Sequence, residues 1–228
     1  MLTGAAERGN HAAMDDLWPV AGLRVVSGDL ELRYLDDDRL LALARLAQDG
    51  VHAPDAMPFT VPWTQGTPTE VARSVLTYQW GARAAVAPER WKLELAVLRD
   101  GEVLGTQALM ASDFPVIRTA ETGSWLGRRH QGQGVGTRMR LMILHLLFEG
   151  FGGRYATTSA FDDNGPSNGV TRRIGYAENG IDLIDRLGGL ATSRRYLLDR
   201  ATWDARPADL RPEVRLHGVE AAREQLGL

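Results

Sequence analysis

Six residues, Gln131-Gly132-Gln133-Gly134-Val135-Gly136, run straight into an apolar segment from Thr137 to Phe148, and their junction has the chemistry of an anion site. Glycines let the backbone approach a phosphate closely, and the first amides of a helix lack carbonyl partners and point outward as donors. A pyrophosphate suits such a cradle. Two familiar phosphate motifs do not fit it. A dinucleotide fingerprint, Gly-x-Gly-x-x-Gly, would need its last glycine where Thr137 or Met139 stands. A nucleotide P-loop needs Lys and then Ser or Thr after the last glycine, where this chain has Thr137 and Arg138.

A shorter pattern does fit: Gln or Arg, two residues, Gly, one residue, Gly. Gln131 to Gly136 meets it, and Arg129 to Gly134 meets it in a second register. Downstream of an expected strand, Tyr155 to Phe161, come Asn164, Ser167, Arg173, Ile174, Gly175 and Tyr176. Upstream, Glu121-Thr122-Gly123-Ser124-Trp125-Leu126 reads as a strand ending at the loop. Three blocks in this order resemble the GNAT superfamily of N-acetyltransferases, in the branch that contains the ribosomal-protein alanine acetyltransferases. The resemblance covers Leu30 to Asp199 at low detail, and its diagnostic residues lie between Glu121 and Tyr176.

The resemblance implies a fold of the α/β (α+β) class, a mixed and mostly antiparallel sheet splayed between its fourth and fifth core strands with helices on both faces. It implies acetyl-CoA or another acyl-CoA as cofactor. The pantetheine arm would lie between the edges Ser124 to Gly127 and Tyr155 to Ser159, and the pyrophosphate on the amides from Gly132 to Thr137. The cofactor residues carried over are Trp125, Leu126, Gly127, Arg129, Gln131, Gly132, Gln133, Gly134, Val135, Gly136, Thr137, Asn164 and Ser167.

The implied reaction is direct attack of a primary amine on the acyl thioester. A lysine-like amine, with a reference pKa of about 10.4, must lose a proton at neutral pH, and a carboxylate is a reasonable acceptor. Glu121, on one strand face with Gly123 and Trp125, is the leading base. The departing thiolate, with a reference pKa of about 8.5, gains from a donor, for which Ser167 and Tyr176 are the candidates and Ser167 holds the family position. His52, Met57, Phe59 and Trp63 fall between the first two helices, where relatives form the acceptor pocket. Each assignment has a structural rival. Glu121 is equally a solvated strand residue, Ser167 a helix cap, Tyr176 a core residue, and the four pocket residues ordinary packing. The acceptor stays open between a protein N-terminus, a lysine and a small-molecule amine, and the acyl group between acetyl and succinyl. A non-catalytic CoA-binding module of the same fold is the rival function.

These residues must be positioned by a recognisable set of elements. Leu30 to Leu35 alternates as a strand, and Asp36 to Asp38 open a helix running to about Gln48. Prolines at 54, 58 and 62 make His52 to Gln65 an apolar loop. Thr67-Pro68-Thr69-Glu70 has the form of a capping box and opens a helix to about Val86. Trp91 to Val97 alternates, Asp100-Gly101 turns the chain, and Val103 to Met110 completes a hairpin. Strands follow at Thr119 to Leu126, Ile181 to Arg186 and Ser193 to Leu198, with a short helix near Ala221 to Leu226.

The bulk properties bound the rest. The 228 residues suit a single acyltransferase domain, 23–200, between an N-terminal tail, 1–22, and a C-terminal extension, 201–228. With 26 basic and 29 acidic side chains the net charge is -3, which gives no overall field for nucleic acid. The chain has no cysteine, so disulfides, zinc-thiolate sites and a cysteine nucleophile are excluded. No metal site is expected. No apolar run approaches the roughly 20 residues of a membrane helix, and Met1 to Asp16 lacks the apolar centre of a secretory signal. The expectation is a cytoplasmic protein, bacterial by its arginine-over-lysine bias, with a homodimer as the oligomer to test.

Overall fold

The computed structural model describes residues 16–228. Two short strands, β1 (Arg24–Ser27) and β2 (Leu30–Tyr34), are joined through Gly28 at φ +56°. Helix α1 (Asp37–Gln48) starts at Asp36, whose side chain accepts from the Arg39 amide at 2.9 Å. Helix α2 (Pro68–Ala84) opens on the expected capping box, with Thr67 and Glu70 bonding reciprocally. The hairpin of β3 (Arg90–Arg99) and β4 (Glu102–Ser112) turns at Asp100 and Gly101, both at positive φ, as a two-residue turn of this hand requires.

After the one-turn α3 (Phe114–Ile117) come β5 (Thr119–Leu126), the glycine loop and α4 (Val135–His145), which continues as a π-helical turn over Leu146–Gly150. Then follow β6 (Tyr155–Phe161), α5 (Gly165–Ile174), and the hairpin of β7 (Ala177–Arg186) and β8 (Gly189–Asp199), with both strands longer than the sequence pattern suggested. The chain ends in α6 (Arg200–Ala205), β9 (Arg215–His217) and α7 (Val219–Leu226).

All nine strands join one sheet in the order β7-β8-β6-β5-β4-β3-β2-β1-β9. Among the described residues, only the β5–β6 pair is parallel. Helices cover both faces. On one, α1 and α2 bury Leu40, Leu43, Val71 and Val75 against Ala96, Leu98 and Val103. On the other, α4 is buried nearly all round, from Met139 to Leu144, beneath the larger core that includes Trp91, Leu95 and Phe148.

The described residues on either side of the expected domain are more integrated than tails. Residues 1–15 of the expected N-terminal tail lie outside the described residues, but Pro19–Gly22 form a 3₁₀ turn with Val20 buried, and the Val20 amide donates to Gln225 Oε1 at 2.8 Å. The segment expected as an extension carries β9, which pairs with β1, and buries Trp203, Leu210, Ala222 and Leu226. Trp203 stacks on Phe148 at 5.2 Å and donates its indole N–H to Glu149 at 2.8 Å. A three-residue strand and a four-residue strand are too short to show a period in sequence, and their partners are far apart along the chain.

Candidate functional site

The parallel β5–β6 ladder holds for only three pairs, Thr119 with Tyr155, Ala120 with Ala156 and Glu121 with Thr157. Beyond them the strands part. β5 continues to Leu126 paired with β4 alone, and β6 continues to Phe161 paired with β8 alone. The open edges are therefore Thr122 to Leu126 and Thr158 to Phe161, and Tyr155 to Thr157, expected on the open edge, belong to the closed part. At the fork, side-chain hydroxyls take over from the lost ladder. Thr122 Oγ1 donates to the Thr157 carbonyl at 3.3 Å, and Thr158 Oγ1 donates to the Thr122 carbonyl at 2.9 Å. Both threonines are buried.

The glycine loop leaves the open end of β5. Gly132 and Gly134 have φ of +72° and +77°, conformations that glycine adopts without strain. Gly134 is the N-cap of α4, and no side chain caps the helix, so its first amides keep no side-chain partner. A Cβ built on Gly132 or Gly134 would meet no atom within 4 Å, and one on Gly136 would meet only Val170 Cγ2 at 3.9 Å. Open space over uncapped amides at a helix N-terminus is what a pyrophosphate requires, so the residues present fit coenzyme A.

The side chains around this loop are committed elsewhere. Gln131 donates to the carbonyls of Val51 (2.7 Å) and Leu126 (2.9 Å), bracing the loop against β5 and the end of α1. Arg129 pairs with Asp49 at 2.8 Å and Glu102 at 3.2 Å, and its backbone carbonyl accepts from Gln133 at 2.8 Å. Neither the guanidinium nor the Gln131 amide frames the cradle as the motif suggested. Gly127 is buried, and a Cβ there would sit 2.5 Å from Leu46 Cδ1, which makes it a packing glycine under α1. Leu126 and Val135 are core residues. Thr137 lies in the first turn of α4. Asn164 caps α5, its Oδ1 accepting from the Ser167 amide at 3.2 Å, so Ser167 is not the cap. The Ser167 hydroxyl has no partner among the described residues.

On the face covered by α1 and α2, register stacks the side chains of β3, β4 and β5 in rows: Lys92, Met110, Glu121; then Glu94, Ala108, Gly123; then Ala96, Thr106, Trp125. The middle row ends in two small residues, and a Cβ on Gly123 would meet only Met110 Cε at 3.6 Å. Beside it opens a cleft of about 700 Å³, lined by Tyr78, Lys92, Met110, Glu121 and Thr157 among others. Glu121 is exposed to this cleft in the last ladder pair before the fork.

Tyr176 approaches the fork from the opposite face. It is buried, its hydroxyl lies 3.5 Å from Thr122 Oγ1, and burial pushes its phenol up while the Arg140 charge draws it down. Glu121 and Tyr176 thus flank one point of β5 from two sides.

The four residues expected in the acceptor wall do assemble. His52, Phe59, Trp63 and Trp125 form a run of rings with centroid distances of 5.9, 4.9 and 5.4 Å. Met57 Sδ lies 3.9 Å from Thr64 Oγ1, which also meets His52 Nε2 at 2.7 Å. Arg186 of β7 donates to the Met57 carbonyl at 3.3 Å and to Asp163 at 2.7 Å, tying this loop to the far side of the splay.

Four polar groups escaped the sequence reading. Glu94 accepts from Tyr78 (2.8 Å), Thr106 (3.1 Å) and Gln79 (3.4 Å), and enclosure by α2 pushes its carboxyl above the usual range. Burial pushes the Tyr78 phenol up as well, reinforced by the Glu94 charge. Asn168 bridges the Phe161 carbonyl and the Tyr196 hydroxyl, each at 2.8 Å. Arg140, 5% exposed, reaches Thr158 Oγ1 at 3.4 Å and Ser124 Oγ at 3.3 Å. Its place between Met139 and Leu141, in a stretch otherwise apolar through Leu144, was the signal for it.

No helix among the described residues is long and apolar enough to cross a membrane. Residues 29–177, well over half of the chain, match the family described as acetyltransferase (GNAT) domain. Among solved structures, the chain is similar to Mycobacterium smegmatis RimJ in complex with CoA-disulfide, at 20% identity and a TM-score of 0.67, covering 91% of this chain and 96% of that one. It is also similar to RimL, the ribosomal L7/L12 alpha-N-protein acetyltransferase in complex with coenzyme A, at 21% identity and a TM-score of 0.56, covering 76% and 96%. A GCN5-related N-acetyltransferase from Brucella melitensis matches at 21% identity and a TM-score of 0.62, covering 80% of each.

Proposed function

The chain belongs to the GNAT acetyltransferase family, which moves an acyl group from acyl-CoA to an amine, and we propose that it acylates the α-amino group of a protein, with Glu121 as base. The observation that carries this reading is the place of Glu121, exposed in an open cleft at the point where β5 leaves β6. Bound acyl-CoA supplies the activated thioester. The uncapped amides of α4 hold its pyrophosphate, and the open edges of β5 and β6 hold its arm by backbone pairing. Glu121 accepts the amine proton from the cleft side, directly or through water. On the other face, Tyr176 beside Thr122 is a candidate donor at the fork, and Ser167 at the start of α5 offers a hydroxyl with no partner among the described residues.

An α-amino group suits this site better than a lysine. Its reference pKa of about 8 leaves a sizeable neutral fraction at pH 7, against about 10.4 for lysine, so a solvent-exposed carboxylate is a sufficient base. The similarity to RimL, an alpha-N-protein acetyltransferase, supports the same class. The His52–Phe59–Trp63 loop, tethered by Arg186, walls the side from which the first residues of such a chain would enter.

Calorimetry for CoA and thiol release from acetyl-CoA with three acceptors test the reading: peptides with free N-termini, Nα-blocked lysine peptides and small amines. Turnover confined to free N-termini is expected. Turnover only on lysine or small amines overturns the acceptor class, and CoA binding without any turnover overturns catalysis.

A further inference from the structure

Arg140 is an anomaly in electrostatic terms. It is 5% exposed, on a helix whose neighbouring positions Met139 and Leu141 to Leu144 are all buried apolar residues. No carboxylate pairs with it among the described residues; its partners are neutral hydroxyls, Ser124 at 3.3 Å, Thr158 at 3.4 Å and the adjacent Tyr176 phenol, and its Nε has no partner. A buried charge normally persists only with a counter-ion or full hydrogen bonding, because desolvating it is costly. Here the cation sits under the fork and spans it, touching Ser124 on the open edge of β5 and Thr158 on the open edge of β6. A permanently unpaired positive charge in such a place is complementary to a negative charge that exists only during the reaction.

We propose that Arg140 holds the charge of the departing coenzyme A sulfur, so that the thiol of bound CoA ionises more readily than the thiol of free CoA. This rests on the acyl-CoA reading given above. As the amine nitrogen bonds to the acyl carbon, the carbon–sulfur bond breaks and its electron pair leaves on sulfur. The amine proton passes to Glu121 or water, and the sulfur is held as a thiolate by the Arg140 field until solvent reprotonates it. Two titratable groups face this point besides the thiol. Tyr176 lies on the Arg140 side, and Glu121 on the opposite face of β5, where its charge opposes ionisation of sulfur. The role differs from that of a strut between the strands, which any side chain of similar shape could fill.

Ultraviolet absorbance of the thiolate, recorded against pH for CoA bound to the whole protein with desulfo-CoA as blank, measures this directly. A bound thiol titrating about 1–3 units below free CoA is expected, the range for an opposite charge within a few ångströms. Arg140→Met should return the titration to the free value or above it, and Arg140→Lys should keep part of the shift. Because Met replaces a buried unpaired ion by an apolar group of similar length, the variant is expected to melt no lower than the parent. A bound thiol that titrates like free CoA overturns the proposal, as does an Arg140→Met protein that melts lower yet keeps the parent's titration. Failure of the parent to bind CoA at all would instead remove the reading beneath it.

Discussion

Gly127 and Gly134 stand seven residues apart in the same loop, and the structure gives them different work, which substitution by alanine separates. At Gly127 a new Cβ would lie 2.5 Å from Leu46 Cδ1 and 2.9 Å from Leu46 Cγ, inside a packed contact between the loop and α1. Overpacking of this kind costs about 1–3 kcal/mol, and in a chain of this size each kcal/mol lowers the melting temperature by about 2–4 °C. Gly127→Ala is thus expected to melt about 2–12 °C lower while binding CoA normally once folded. Combining it with Leu46→Val should cost less than the sum of the two, since valine lacks the δ-carbons that the alanine would strike. At Gly134 the new Cβ meets no protein atom within 4 Å, and the only intrinsic cost is the left-handed backbone at φ +77°, roughly 1–2 kcal/mol. The methyl would project into the cradle, so CoA affinity is expected to fall by about tenfold or more, a loss of about 1.4 kcal/mol or greater. Differential scanning fluorimetry and calorimetry on the two variants decide the matter. Loss of CoA affinity in Gly127→Ala at unchanged melting temperature would refute the packing argument, and unchanged affinity in Gly134→Ala would show that the cradle is misplaced.

Glu121→Gln should lower the rate of thiol release by about 10²–10⁴, the usual weight of a general base, with CoA affinity unaltered; equal rates would remove Glu121 from the chemistry. Glu94 has its carboxyl pushed up by burial, so its native pKa exceeds the unfolded value and its contribution to stability is largest below the ordinary glutamate range. That contribution declines as pH rises through the shifted value, so Glu94→Gln should gain on the parent progressively with pH, and a difference in unfolding free energy that stays constant across the range would contradict it. Removing residues 215–228 deletes β9 and α7 and exposes the edge of β1; Leu226 alone, fully buried, is worth about 1.5–3 kcal/mol. A truncated chain that melts with the parent would show that this segment is an appendage after all.

What could be read from the chain without coordinates was whatever acts through its own backbone. Gly132 and Gly134 occupy left-handed conformations, Asp100-Gly101 makes its turn, and Thr67 and Glu70 form their box, because each feature is decided within a few residues. Side chains that work across the fold were opaque. Lys92 and Glu94 alternate with Trp91 and Leu93 like residues on a solvated face, yet α2 covers that face and turns Glu94 into an enclosed carboxyl bonded to Tyr78. Gln131 and Arg129 satisfy a motif, but a motif specifies residue types and not where side chains turn; both turn toward β5, α1 and the β3–β4 hairpin. Arg140 is the limiting case. Its lack of a counter-ion among the described residues emerges only when β5 and β6 bring Ser124 and Thr158 to either side of it, and no spacing along the helix encodes that. The backbone cradle belongs to any cofactor with a pyrophosphate. In the proposed reading the charges around the fork, Glu121 on one side and Arg140 on the other, orient the chemistry: the carboxylate would accept the proton that the amine loses, and the guanidinium would meet the charge that the sulfur gains.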